Sequence, residues 1–261
     1  LQIVIKIGGS VLEHLHSAFF QECLQLKEKG LTPVIVHGGG PVISQWMDQL
    51  GFQPQFVDGL RVTDEQTLTI VEMVLAGSVN KHLVTKFRQA GAKAIGMTGI
   101  DLGLIQVEPL NHSLGFVGRV THVNKEVIQL ILDQGWIPVI ASLGVDHEGQ
   151  HYNVNADDVA SAIADALKAK KLISVSNVDG IQINDQPLKQ ATADEIEAYI
   201  RTGEITGGMI PKVRSGLRSL TGSVQEVVIV NGQQPGCLTD DSHGTRLIKG
   251  EVKSHVFISH L

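Results

Sequence analysis

Cysteine is nearly absent from this 261-residue chain: only Cys23 and Cys237 occur, far apart and without C-x-x-C spacing. That argues against a disulfide framework or a zinc cluster, and both residues read as reduced thiols. Aromatic residues are scarce at 4%, and a net charge of −6 without a long basic stripe disfavours nucleic acid or a membrane surface as partner. No apolar run approaches the roughly 18–20 residues that span a bilayer. The sequence starts directly with the strand-like Ile3-Val4-Ile5, so no leader is expected and the cytoplasm is the expected compartment. Familiar catalytic signatures are missing too. There is no G-x-x-x-x-G-K-[ST], no complete G-x-G-x-x-G, no G-x-S-x-G and no H-E-x-x-H. P-loop NTPases, standard Rossmann dehydrogenases, the usual serine hydrolases and zincins are therefore disfavoured. The histidines, His14 and His16 among them, show no repeated metal-ligand spacing, and no metal ligands are assigned.

What is present is a large hydrophobic fraction, 43%, with 28 glycines, enough for Val/Ile/Leu-rich buried strands and many tight turns. Strands are predicted over 3–7, 33–36, 94–97, 105–107, 136–142, 172–176 and 227–230. Several lack two-residue alternation, as strands buried on both faces do. Helices are predicted between them. One covers 12–26, one follows Pro41, one runs from a Thr63/Gln66 capping box to Leu75, one runs from an Asn155 cap to about Ala169, and one opens at a Thr192/Glu195 box. The stretches 145–152 and 181–187 read as turns or hairpins. This β-α-β alternation predicts an α/β fold, an open three-layer αβα sandwich with a mostly parallel central sheet. Any boundary between lobes is expected near Lys168–Lys171, which gives residues 1–170 and 171–261.

Glycine-rich segments follow three predicted strands or turns: Lys6-Ile7-Gly8-Gly9-Ser10, His37-Gly38-Gly39-Gly40-Pro41 and Thr206-Gly207-Gly208-Met209-Ile210-Pro211-Lys212. Such loops let backbone amides approach an anion at a helix N-terminus, so they point to phosphate handling, although each alone is also consistent with a tight turn. Arg61, in Asp58-Gly59-Leu60-Arg61-Val62-Thr63, offers a planar fork suited to a carboxylate, or else pairs with a surface acid. Asn153-Val154-Asn155-Ala156-Asp157 sets two amides and a carboxylate at a helix start, where capping is the alternative role.

Taken in order from Ile3 to about Leu247, these segments, with Gly77-Ser78-Val79-Asn80-Lys81 and Asn177-Val178-Asp179-Gly180, resemble the amino acid kinase family. The Arg61, Asn80-Lys81 and Asn153 segments resemble its branch acting on acetylglutamate. The resemblance implies two lobes, the first (1–170) holding the acyl amino acid and dimerising, the second (171–261) holding ATP with magnesium. The implied reaction moves the γ-phosphate of ATP to the side-chain carboxylate of N-acetyl-L-glutamate, a step of arginine biosynthesis. Carried over, Lys6 and Lys212 flank the moving phosphoryl group, Asp157 orients both ammonium groups, and amides of Gly8, Gly9, Gly39 and Gly40 line the path. Gly39, Gly40, Arg61 and Asn153 hold the substrate. Asn177, Val178, Asp179 and Gly180, with Thr206, Gly207, Gly208 and Met209, surround the nucleotide. Two positions depart from the family pattern: Asn177 stands where relatives often carry Asp, and Ile100 where a Lys is common. The chain also lacks the N-terminal extension of arginine-inhibited hexameric relatives, so an uninhibited homodimer is expected. A sibling kinase acting on an aminoadipate carrier, glutamate or aspartate, and a non-catalytic nucleotide or amino-acid sensor, remain the alternative readings.

Overall fold

Apolar runs without alternation become the inner strands of one eight-stranded sheet in a computed structural model that describes residues 1–184, 186–220 and 222–250. Across the sheet the order is Gln190–Thr192, Thr245–Ile248, Glu226–Asn231, Lys171–Ser176, Gln2–Ile7, Thr32–His37, Ile137–Ala141 and Ala94–Thr98. All neighbours are parallel except Thr245–Ile248 against Glu226–Asn231. The predicted α/β sandwich with a mostly parallel sheet is therefore the fold observed. Strands from before and after the Lys168–Lys171 region join in this one sheet, and the stretch 251–261 of the expected second lobe lies outside the described residues.

Side chains alternate between the faces of the sheet, and each face has its own core. Ile3, Ile5, Ile7, Ile35 and Ile173 pack beneath helices α1 (Ala18–Glu28), α2 (Gly40–Gln49), α3 (Glu65–Glu72) and α4 (Asn80–Gln89). Phe20 joins α1 to α4 through edge-to-face contacts with Phe19 and Phe87, at 5.4 and 5.0 Å. Each such pair adds about 0.5–1.5 kcal/mol beyond its buried area. Val4, Val34, Val36 and Leu172 face the other way, towards α5 (Lys125–Asp133), α6 (Ala156–Ala166), α7 (Ala193–Arg201) and α8 (Met209–Ser219). A closed barrel of the short strands Ile105–Pro109, Val117–Val123, Leu143–Val145 and His151–Val154 extends this second core.

Two helix predictions need correction. The stretch 12–26 is not one helix. A turn at Leu12–His14 gives way to an extended Leu15, and α1 begins at Ala18. The cause is a tether: the His16 amide donates to Gly232 O at 2.9 Å, and the Ala18 amide to His16 Nδ1 at 3.1 Å. Nor does Thr63 cap α3. Asp64 does so, its Oδ1 accepting from the Thr67 amide at 2.8 Å, while the buried Thr63 hydroxyl donates to Arg61 O. Helix α3 continues through a π-helical stretch, Met73–Val79, into α4. The caps predicted at Asn155 and at Thr192 with Glu195 are both formed. Residues 145–152 and 181–187 form short antiparallel pairings, as hairpins should.

Candidate active site

Strand Gln2–Ile7 lies between Thr32–His37 on one side and Lys171–Ser176 on the other, so the winding of the sheet reverses there. In open parallel sheets such a reversal leaves a crevice beyond the carboxyl ends of the strands. The segments Gly8-Gly9, Gly38-Gly39-Gly40 and Asn177 leave those three ends. Gly9 lets the first two loops touch: a Cβ on it would come within 2.8 Å of Gly40 N and of Pro41 Cδ.

Two-residue periodicity puts Lys6 on the α6 face of the sheet, with Val4. Its Nζ lies 2.9 Å from Asp157 Oδ1, both side chains being largely shielded at 13% and 25% exposure. Asp157 is fixed in the first turn of α6, where its amide donates to the capping Asn155 Oδ1 at 2.8 Å. Lys212 comes from the first turn of α8, and its Nζ donates to Asn177 Oδ1 at 3.0 Å. Among the described residues Asp157 thus pairs with Lys6 alone, and Lys212 is oriented by an amide. Burial, and then the nearby Lys6 charge, hold the Lys212 ammonium below the usual lysine range.

Two cavities meet at this pair. One, of about 520 Å³, is lined by Gly8, Asp157, Asp158, Lys212, Ser215 and Arg218 among others. The other, of about 360 Å³, is lined by Gly39, Gly40, Arg61, Leu75 and Asn153 among others. Lys6, Gly9 and Asp157 line both.

Arg61 reaches the second cavity because Phe56–Val57 and Leu60–Arg61 form a hairpin over an Asp58-Gly59 turn with φ of 50° and 81°. Its Nη2 donates to Gly40 O and to Ser44 Oγ, both at 2.8 Å. Its guanidinium sits 4.8 Å from the Phe56 ring centroid. Asn153 Nδ2 donates to Thr63 Oγ1 at 3.1 Å, which fixes the orientation of that amide at the cavity wall.

The residues expected around the nucleotide are less convergent. None of Asn177, Val178, Asp179, Gly180, Thr206, Gly207, Gly208 and Met209 lines either cavity. Asn177 reaches the site only through Lys212. Asp179 Oδ1 accepts from Asn231 Nδ2 at 2.6 Å and from Gln234 Nε2 at 2.9 Å. Gly180, at φ 123°, backs onto Thr245, and Thr206–Gly208 form the turn into α8. Sequence reading missed Ser10, Asp158, Ser215 and Arg218 in the larger cavity and Ser44 behind Arg61. The signal for Ser215 and Arg218 was their three-residue spacing from Lys212 along one helix face.

A parallel sheet whose carboxyl edge carries two touching glycine loops, with lysines from opposite sides of a cleft, is the anatomy of a phosphoryl-transfer enzyme. The sequence model of the Amino acid kinase family matches residues 2–231, and the chain belongs to that family. It is 46% identical over 248 residues to the acetylglutamate kinase of Geobacillus thermodenitrificans (strain NG80-2), covering 95% of this chain and 96% of that one. It is 47% identical over 231 residues to the acetylglutamate kinase of Halalkalibacterium halodurans, covering 88% and 89%. A crystal structure of a Streptococcus mutans UA159 protein superposes with a TM-score of 0.84 at 36% identity, covering 95% of this chain and 98% of that one.

Proposed function

We propose that this kinase transfers the γ-phosphate of ATP to the side-chain carboxylate of N-acetyl-L-glutamate, the second step of arginine biosynthesis. The observation that carries this reading is the junction at Lys6, Gly9 and Asp157, which belongs to both cavities, in a chain 46% identical to an acetylglutamate kinase over nearly its full length. The larger cavity takes the triphosphate, with magnesium arriving as part of the ATP complex, and the smaller one takes the acyl amino acid.

The chemistry asked of the protein is electrostatic. A glutamate side chain has a pKa of about 4.3, so the acceptor is already an anion at neutral pH and needs no general base. The obstacle is its repulsion from the triphosphate, followed by charge spreading over the phosphoryl oxygens in flight. Lys6 and Lys212 meet that charge, and the amides of Gly8, Gly9, Gly39 and Gly40 donate along the path. Asp157 orients Lys6, and Asn177 orients Lys212. Arg61 clamps the α-carboxylate of the substrate and Asn153 helps to fix it. Asn177–Gly180 and Thr206–Met209 are assigned to the nucleotide on the family resemblance alone. Residues 1–170 form the substrate-binding and dimerising lobe and 171–261 the nucleotide lobe of a cytoplasmic homodimer. Among the described residues no helix is long and apolar enough to cross a membrane.

Coupled ADP release measured with N-acetylglutamate, free glutamate, aspartate and aminoadipate tests the proposal. Turnover confined to N-acetylglutamate is expected; turnover on free glutamate alone would overturn it.

A further inference from the structure

His37 sits among isoleucines in the middle of the sheet, fully buried at the carboxyl end of Thr32–His37 and paired with Ile7 and Ala141. On packing grounds an apolar side chain would serve there, since burying an imidazole requires that both ring nitrogens be satisfied. Both are. Nδ1 lies 3.0 Å from Gly38 O, and Nε2 lies 3.0 Å from Nδ2 of Asn80, itself fully buried at the start of α4.

The amide orientation of Asn80 is set from outside the pair. Its Nδ2 carries two hydrogens, and the two shorter of its three contacts are Val139 O at 2.9 Å and His37 Nε2 at 3.0 Å, with Met97 O further off at 3.3 Å; its Oδ1 accepts from Lys81 Nζ at 3.1 Å. Gly96 makes room for it, since a Cβ there would lie 2.0 Å from Asn80 Oδ1. Towards His37, Asn80 can therefore only donate. Nε2 must accept, so the ring proton resides on Nδ1 and is directed at Gly38 O. Burial holds the imidazole neutral, with its pKa lowered to about 4, in keeping with that tautomer.

The Gly38 carbonyl and the Gly39 N–H belong to one planar trans peptide and point in opposite directions. Whatever holds the carbonyl against the core turns the Gly39 amide outwards, and Gly39 lines the smaller cavity. We propose that His37 is a positioning residue for phosphoryl transfer: its Nδ1–H holds the Gly38 carbonyl so that the Gly39 amide is aimed at the transfer path, and Asn80 locks the required tautomer. The role rests on the reaction proposed above.

The test compares His37→Asn, His37→Gln and His37→Leu, with nitrogen-15 spectra of the wild-type histidines at neutral pH. Asparagine places an N–H near the Nδ1 position, whereas glutamine reaches the Nε2 position and leucine supplies no donor. His37→Asn is expected to keep kcat close to wild type. The Gln and Leu variants are expected to lose about tenfold or more, short of the 10²–10³ that follows outright removal of an oxyanion donor. KM for ATP should stay unchanged throughout. The spectrum should show a ring protonated at Nδ1 whose signals vanish in His37→Asn. An Asn variant as slow as the Gln variant, a Gln variant with wild-type kcat, or a wild-type ring protonated at Nε2 would overturn the proposal. Should His37→Leu not fold, the Asn–Gln contrast and the wild-type spectrum decide. Wild-type turnover on N-acetylglutamate is measured first. Its failure refutes the reaction, whereas failure of the Asn–Gln contrast in an active enzyme refutes the role of His37.

Discussion

Replacing Arg61 by lysine keeps a positive charge in the smaller cavity but removes the fork, and the structure sets what that costs. One arm of the guanidinium, Nη2, is already engaged, donating to Gly40 O and Ser44 Oγ at 2.8 Å each. Nη1 donates to Met47 Sδ at 3.2 Å, a weak acceptor, so on the proposed reading a substrate carboxylate would displace that contact to reach the second arm. A lysine ammonium is one compact centre, unable to brace the glycine loop and form two parallel bonds to a carboxylate. A hydrogen bond to a charged group contributes about 1.5–3 kcal/mol, so losing one arm should raise KM for N-acetylglutamate roughly 10- to 100-fold. Because Gly40 O loses its donor as well, kcat should fall several-fold, while KM for ATP stays near wild type. Coupled ADP release with each substrate varied in turn measures all three quantities. Should KM for the acyl amino acid stay unchanged, Arg61 does not bind the substrate and its role is confined to the loop.

Three further outcomes follow from the same geometry. Lys6→Ala should lower kcat by about 10²–10³, or ~2.7–4 kcal/mol of barrier by comparison with loss of one oxyanion donor; wild-type single-turnover rates would remove Lys6 from the reaction. Lys212 is held below the usual lysine range by burial and by Lys6, so kcat/KM should fall as rising pH discharges it. Asn177→Asp sets an anion where Nζ now meets an amide oxygen at 3.0 Å, which should move that alkaline limb to higher pH; a limb that stays put refutes the contact. His37 is neutral when folded, its pKa lowered from 6.5 to about 4 by burial, so the unfolded chain binds its proton first. Stability is therefore full above about pH 6.5 and declines by up to about 3 kcal/mol towards pH 4. Urea titrations should show a smaller loss in His37→Asn than in wild type.

The sheet was legible because its strands are buried on both faces, so 3–7, 33–36 and 172–176 read as unbroken apolar runs. The barrel was less so: Val117–Val123 carries Arg119, Thr121 and His122, and its polar side masks the run. The break before α1 was illegible because it depends on Gly232, more than two hundred residues away. Lys6, Asp157 and Lys212 could be picked out from glycine loops and helix starts, which are local. Their pairing was not local, and only the fold assigns Asp157 to Lys6 and Asn177 to Lys212. His37 was read as part of a glycine loop, since nothing near it in sequence reveals that Asn80 stands behind its ring.

A net charge of −6 is at first sight a poor setting for bringing a triphosphate to a carboxylate. Surface charges more than about 8 Å away are largely screened at physiological salt, so the groups within the cleft decide its field. There, Lys6, Lys212, Arg61 and Arg218 face Asp58, Asp157 and Asp158. An anion as central as Asp157 would oppose phosphate if it were free. At 2.9 Å from Lys6 Nζ it instead fixes that ammonium, and the pair together adds little net charge to the cavity. Lys212, held by a neutral amide, keeps its full charge for the proposed transfer, although burial and Lys6 make that charge easier to lose. The cleft therefore holds one lysine fixed by a carboxylate and one whose partner, among the described residues, is a neutral amide. Asn177→Asp alters the second of these while leaving the Lys6–Asp157 pair in place, so its pH profile separates charge from placement.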